Sequence, residues 1–294
     1  MRSSVRKAVV PAAGLGTRFL PVTKAVPKPL LPVLDTPAIH MVVSEAAAAG
    51  MRSVAIVVAP ADRAIERYFG ADLHLESALR SAGQASLADS VRRLAEIADI
   101  EFIVQDRPGG LGHAVSVAAE WVGDEPFAVL LPDDLIWTDG PAIGQLAALY
   151  DRLGASVIAV REVPDDLVPG LGIVDPEPAW DRLHRVRALV EKPPLNMAPS
   201  NLAIVGRYVL SAGVLSALAE TEPGARGEIQ ITDAISSLVD REGVYAYEFD
   251  GHHIDVGTPA GMVEAALYEG LRRPDTAGRI RRLLDAAEDS GAVA

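Results

Sequence analysis

The chain has 294 residues, 49% apolar and 23% charged, with no cysteine; this balance allows one large core and excludes disorder, disulfides and thiolate metal sites. Its formal net charge of −13 sets up a field that repels polyanions, which excludes nucleic acid and acidic membrane surfaces as partners. No apolar run reaches the roughly 18 residues of a membrane helix and no basic-then-apolar leader opens the chain, so a cytoplasmic protein without membrane contact is expected.

In chain order, apolar runs rich in Val and Ile at residues 8–11, 54–59, 102–104, 127–131 and 157–160 predict short buried strands. Between them, alanine-rich segments with helical spacing predict helices over 38–49, 61–69, 86–98, 114–121 and 142–153. A further helix over 73–81 reads as an insertion packed at one edge. Strand and helix alternate, so the expected fold is α/β, with a central mixed, mostly parallel sheet flanked by helices. After Glu162 the texture changes to Pro and Gly punctuation, with strand-like pieces at 172–174, 186–190, 202–210 and 244–249. Helices are expected at 259–271 and 278–289, followed by a frayed end over 290–294.

Residues 11–33 leave the first strand and run irregularly towards the helix expected near Ala38. Gly14 and Gly16 let the backbone approach a ligand and aim successive N–H groups at an anion. Arg18, Lys24 and Lys28 follow, and Pro21, Pro27, Pro29 and Pro32 stiffen the path between them. Ligands of open α/β sheets gather at the carboxyl ends of strands, where this loop falls. It is neither a dinucleotide fingerprint, which would need a third glycine at Phe19, nor a P-loop, which would open its helix with Gly-Lys-Ser or Gly-Lys-Thr. The basic residues are otherwise overwhelmingly arginine; the only lysines are Lys7, Lys24, Lys28 and Lys192. Lysine, a compact and strongly hydrated charge, suits a phosphate that moves during reaction.

Residues 128–131 lead into Pro132, Asp133 and Asp134. A carboxylate at the end of a buried parallel strand faces the ligand crevice, and its hard oxygens suit magnesium carried by a triphosphate; two aspartates can equally solvate a turn. Asp255, in HIDVGTP, is a second carboxylate able to clamp the same ion. The adjacent His252 and His253 point to opposite faces of a strand and are read as structural or solvated. Glu191 and Lys192 close a strand before Pro193 and Pro194, where a carboxylate can accept from sugar hydroxyls and an ammonium can bind a phosphate. The alternative is an ordinary exposed ion pair. Gln105 ends another strand, and Gly109, Gly110 and Gly112 precede a helix expected near His113, an arrangement that can seat a base edge.

Taken in order, GLGTRFLPVTKAVPK, GLGHAV, LPDD, VEKP, APSNLAIVGRYVL, GEIQITDA and DVGTPAG resemble the sugar-nucleotide pyrophosphorylase family, in its bacterial UTP:glucose-1-phosphate uridylyltransferase branch, over nearly the whole chain. The helical text LHLESALRSAGQ is more similar to that branch than to the thymidylyltransferase branch. The resemblance implies a nucleotide-diphospho-sugar transferase (Rossmann-like) fold. It implies a single nucleotidyltransferase domain over 1–294, with a nucleotide-binding part over 1–160 and a sugar-phosphate part with C-terminal helices over 161–294. The implied reaction joins UTP and glucose 1-phosphate to give UDP-glucose and pyrophosphate with Mg2+, in a homo-oligomer, dimer or tetramer.

The resemblance assigns Ala13, Gly14 and Gly16 to the nucleotide, Arg18 and Lys28 to the phosphates, Gln105 and Gly110 to the base, and Asp133 and Asp255 to the metal. Gly172, Glu191 and Lys192 would hold the sugar phosphate, with Asn201 nearby; Arg18, Lys28, Asp133 and Lys192 form the expected catalytic set. Gln105 can meet a uracil edge with its oxygen on N3–H and its nitrogen on a carbonyl. The chain departs from the family pattern at Ala59–Pro60–Ala61–Asp62, where a Gly-rich basic stretch is usual, and at Val104, Leu171 and Pro29. A thymidylyltransferase, another sugar-nucleotide pyrophosphorylase, and a catalytically silent paralogue that binds sugar nucleotides remain alternatives.

Overall fold

The computed structural model describes residues 3–60, 62–224 and 227–289. Strand β1 (Lys7–Pro11) opens into a long loop carrying three 3-10 turns, Thr17–Phe19, Val22–Lys24 and Lys28–Leu30. Then follow the short strands β2 (Pro32–Val33) and β3 (Thr36–Pro37), α1 (Ala38–Ala48), β4 (Ser53–Val58), α2 (Ala64–Phe69), α3 (Leu73–Ser81), α4 (Ala85–Ala95) and β5 (Asp99–Val104). Next come α5 (Gly110–Ser116), α6 (Ala119–Val122), β6 (Phe127–Leu130), β7 (Asp134–Trp137), α7 (Ala142–Leu153) and β8 (Ser156–Glu162). The second half adds β9 (Gly172–Trp180), β10 (Leu183–Glu191), β11 (Leu202–Leu210), α8 (Gly213–Glu220), α9 (Ile231–Leu238), β12 (Val244–Glu248), β13 (His252–Asp255), α10 (Pro259–Arg272) and α11 (Ala277–Asp289).

One nine-stranded sheet of order β5-β4-β1-β6-β11-β8-β12-β10-β9 runs through both halves. Only β11 and β10 oppose the other strand directions, so the sheet is mixed: it is parallel through β5, β4, β1 and β6, where the apolar runs predict it, and pairs mainly antiparallel beyond β6 rather than being mostly parallel throughout. Those runs are continuous because both faces are covered. Along β1, Ala8 and Val10 enter one core with α1, α2 and α7, whereas Val9 enters the other with α5, α8 and α9. Alternate side chains of a strand point to opposite faces, so burial of every residue from Ala8 to Val10 needs helices on each side. Among the described residues no helix is long and apolar enough to cross a membrane.

Beyond β11 the sheet curls. β9 pairs with β10 along its length and also returns to β11 through Ala203 and Ile173, and register shifts in β10 and β11 supply the bend. The Gly172–Glu191 end of the hairpin thereby swings back to the start of β11.

The structure changes several expected elements. β9 is nine residues rather than a three-residue piece, because it lies at the sheet margin, where Pro176 and Pro178 interrupt a strand less than they would in its middle. The helix expected over 114–121 is two, α5 and α6, and α5 already begins at Gly110. The helix expected from residue 61 starts at Ala64; Ala61 lies outside the described residues, as does the end expected to fray over 290–294. Strand β7, α8 and α9 have no counterpart among the expected elements, whereas β13 is the strand on which His252 and His253 are read. The expected insertion helix α3 packs on α4 in the connection between β4 and the edge strand β5.

Candidate active site

The carboxyl ends of the parallel strands β1, β5 and β6 lie along one edge of the sheet. After β1 the chain doubles back on itself: Gly16 takes the left-handed conformation (φ 61°), and Thr23 Oγ1 donates to the Gly16 carbonyl at 2.9 Å. A Cβ at Gly16 would stand 2.9 Å from Lys28 Cβ and 3.0 Å from Thr23 Cγ2, so both backbone angle and space require glycine. At Gly14, by contrast, a Cβ would meet no atom of the described residues within 4 Å.

Lys28 Nζ bonds Asp133 Oδ2 at 2.7 Å, joining this loop to the turn after β6. β7 pairs antiparallel with β13 and sets Asp134 opposite Asp255, while the Val256 N–H donates to the Asp133 carbonyl at 2.7 Å. A Cβ at Gly257 would lie 2.6 Å from Asp255 Oδ1, 3.3 Å from Asp133 Oδ2 and 3.5 Å from a guanidinium nitrogen of Arg18, so these three groups border one small space. Burial pushes the Asp255 pKa up against its bond from the Gly257 N–H, and the Asp134 and Asp133 carboxylates add to the rise. Two hard carboxylates facing one space, one of them disfavoured as an anion by burial and by its neighbours, fit a divalent cation. Among the described residues no third His, Cys, Asp or Glu completes a protein-only metal site.

Behind this space Asp134 is half-buried. His253 Nε2 lies 2.6 Å from Asp134 Oδ1, and Gly206 N–H donates to Oδ2 at 3.2 Å. Burial opposes the Asp134 carboxylate, but the His253 bond, the Arg207 charge and the Gly206 N–H outweigh it and hold its pKa below the usual range. Arg161 lies 2.9 Å from His253 Nδ1. An arginine can only donate, so Nδ1 accepts and the ring gives its Nε2 proton to Asp134.

At the end of β5 the Gln105 main-chain N–H donates to the Val58 carbonyl, and its side chain is buried. Nε2 lies 3.3 Å from the Gly110 carbonyl and 2.9 Å from His113 Nδ1. Main-chain bonds from Gly112 N–H to Ile229 O and from Ile229 N–H to Gly109 O, each 2.8 Å, hold this loop against the GEIQITDA segment.

At the end of β10, Glu191 accepts from Lys192 Nζ at 2.7 Å and from Thr232 Oγ1 at 2.9 Å. A Cβ at Gly172 would meet Glu191 Oε2 at 3.2 Å and Thr232 Oγ1 at 3.4 Å, so the hairpin end and α9 meet there. Lys192 has φ 47°, a conformation uncommon for a side chain of this size, and its N–H donates to the Leu171 carbonyl at 3.0 Å.

The sequence family described as nucleotidyl transferase matches residues 7–269. This chain belongs to that family. It is 45% identical over 271 residues to a UTP–glucose-1-phosphate uridylyltransferase of Staphylococcus epidermidis, covering 92% of this chain and 94% of the relative. It is 46% identical over 263 residues to the enzyme of that name from Bacillus subtilis, covering 90% of each. A crystal structure of UDP-glucose pyrophosphorylase complexed with UDP-glucose superimposes with a TM-score of 0.83 at 38% identity, over 92% of this chain and all of that one. UTP-bound UGPase from Acinetobacter baumannii gives 0.88 at 39%, over 95% and 98%.

In this nucleotidyl transferase, Arg18, Lys28, Asp133 and Asp255 come together, Gln105 meets Gly110, and Gly172 meets Glu191 and Lys192. Ala13 packs at the margin of the core beneath the loop. Asn201 does not join the sugar-side cluster: its side chain donates to the Val163 carbonyl at 3.4 Å, and its carbonyl accepts from the Val163 N–H. Lys24 is exposed without an ion pair among the described residues, and Lys7 binds Glu125 and two carbonyls far from the site. His253 is structural, as read from strand alternation, and His252 stacks on Tyr268. Sequence reasoning missed Thr232, Ile229, His113, Arg161, and the fully buried Arg207 paired with Glu45. The GEIQITDA text was the available signal for Thr232 and Ile229, but a motif does not disclose which distant loop it holds.

Proposed function

We propose that this nucleotidyl transferase makes UDP-glucose and pyrophosphate from UTP and glucose 1-phosphate. The observation that carries the reading is the meeting of Arg18, Lys28, Asp133 and Asp255 around one space at the strand ends. The extended identity to uridylyltransferases supports the choice of substrates.

Both substrates are anionic, so the barrier is repulsion and alignment. A phosphate oxygen of glucose 1-phosphate attacks the α-phosphorus, and the bond to the bridging oxygen breaks with its electron pair leaving on pyrophosphate. The attacking oxygen is already ionised, so no side chain has to remove a proton. The work left to the protein is positioning and charge stabilisation. Arg18 and Lys28 face the triphosphate and Lys192 the sugar phosphate, while Glu191, oriented by Thr232, accepts from sugar hydroxyls. Asp133 and Asp255 would hold Mg2+, which when bound neutralises phosphate charge and orients the phosphate oxygens. Among the described residues these two carboxylates alone would hold the ion, and its remaining ligands would come from the substrates or water. The assembly expected on the family resemblance, a homo-oligomer, can be measured by light scattering. Pyrophosphate release across nucleoside triphosphates and sugar 1-phosphates with magnesium tests the reading. Turnover is expected to be highest for UTP with glucose 1-phosphate; none with any pyrimidine triphosphate would overturn it in favour of a binding protein.

A further inference from the structure

The amide of Gln105 has its orientation set by two neighbours. The end facing the Gly110 carbonyl at 3.3 Å must be the NH2 group, because an oxygen there would face another oxygen. The same Nε2 lies 2.9 Å from His113 Nδ1. A nitrogen carrying hydrogens meets Nδ1, so Nδ1 is the acceptor and the neutral ring carries its proton on Nε2. Both amide hydrogens are thus engaged within the protein, and neither remains for a base carbonyl, contrary to the two-point contact expected from sequence. Only Oε1 remains for a ligand. Among the described residues no protein group bonds Oε1, and the single buried side-chain polar atom without a partner is His184 Nδ1, so Oε1 is not sealed in the core.

His113 is itself held. A Cβ at Gly109 would stand 2.7 Å from His113 Cγ and 2.8 Å from Nδ1, so the imidazole lies directly on the Gly109 backbone and glycine is needed to admit it. The Gly109–Gly112 backbone is in turn clamped by Ile229.

We propose that His113 is a positioning residue that fixes the polarity of the Gln105 amide, so that the site presents a lone acceptor and selects pyrimidines bearing an N3–H donor, uracil and thymine, over cytosine. The inference rests on the uridylyltransferase reading for its ligand. An oxygen facing cytosine N3 sets lone pair against lone pair, and relief would require the amide to turn over. Turning it over would place Oε1 against the Gly110 carbonyl and leave His113 Nδ1 without its donor. Selectivity thus comes from a residue on α5 that need not touch the base.

The test compares the parent with His113→Ala, His113→Leu, His113→Asn and Gly109→Ala. Leu fills space without an acceptor, Asn restores an acceptor near the Nδ1 position, and Gly109→Ala displaces the ring while both partners remain. Two readouts are taken: kcat/KM for UTP and CTP with glucose 1-phosphate, and calorimetric Kd for UTP and CTP alone. The UTP-over-CTP ratio is expected to fall about tenfold or more in the Ala, Leu and Gly109 variants, chiefly through KM for UTP, and to stay within about threefold of the parent in the Asn variant. Unchanged ratios in Ala and Leu would overturn the proposal, as would loss in Asn equal to that in Leu, which would assign the effect to ring packing. A parent that binds UTP selectively without turnover would overturn the proposed activity while the binding ratios still decide the role of His113. A parent indifferent to UTP and CTP in binding would overturn the inference itself.

Discussion

Along the proposed nucleotide edge of the site, the candidate residues hang on loops that leave the parallel strands β1, β5 and β6. Along the sugar edge they sit on the end of the β9–β10 hairpin and the first turn of α9. The first edge draws its geometry from strand ends a fixed spacing apart, with a glycine- and proline-rich path between them. The second draws it from a bent sheet returning to β11, held by side-chain bonds such as Thr232 to Glu191. Rigid spacing suits a long polyanion that must be held at several points; a side-chain-built edge is where sugar choice can change without disturbing the core. Arg207 lies at the seam, bidentate to Glu45 of α1 and bonded to the Leu131 carbonyl.

Breaking the seam should have the largest effect. Arg207→Leu strands Glu45, 11% exposed and also the acceptor for the Ile143 N–H, and should cost about 3–5 kcal/mol in urea unfolding. Adding Glu45→Leu should return much of that loss; if it does not, the pair is not what joins the halves.

On the nucleotide edge, Asp133→Asn keeps shape but removes the anion paired with Lys28, and turnover should drop about a hundredfold with the unfolding midpoint little changed. An unaltered rate at limiting magnesium would remove Asp133 from the metal pair.

Gly16→Ala probes the stiffness of the same edge. The left-handed backbone alone costs about 1–2 kcal/mol, and the added methyl pushes on Lys28 Cβ, so thermal stability should fall and KM for UTP rise. A rise in KM for glucose 1-phosphate instead would show that the loop serves both edges.

The smallest effect is expected on the sugar edge. Thr232→Val keeps volume but removes the hydroxyl that orients Glu191, which at about 1 kcal/mol corresponds to roughly a fivefold higher KM for glucose 1-phosphate with KM for UTP unaltered. An equal change in both would mean that α9 supports the site as a whole.

The nucleotide edge was the more legible in sequence. Gly14, Gly16, Arg18 and Lys28 lie within one short segment, and Asp133 directly follows a buried apolar run, so local pattern sufficed to nominate them. Thr232 and His113 were not nominated, because their partners Glu191 and Gln105 lie on other elements and a hydroxyl or imidazole carries no local mark of what it bonds. Asn201 was nominated by position in a motif, and its side chain holds the β8 end instead.

By itself the sequence determined the alternating strands and helices, their burial on both faces, and a cationic glycine-rich loop at a strand end. Hydrophobic periodicity and backbone freedom are local properties, and they suffice for these. Only the tertiary structure decided that Asp255 reaches Asp133 through the β7–β13 pairing, that the hairpin curls back to β11, and that His113 sets the Gln105 amide. Each joins separate elements by a register, a bulge or a single bond, and such pairings are chosen by the packing of the whole sheet.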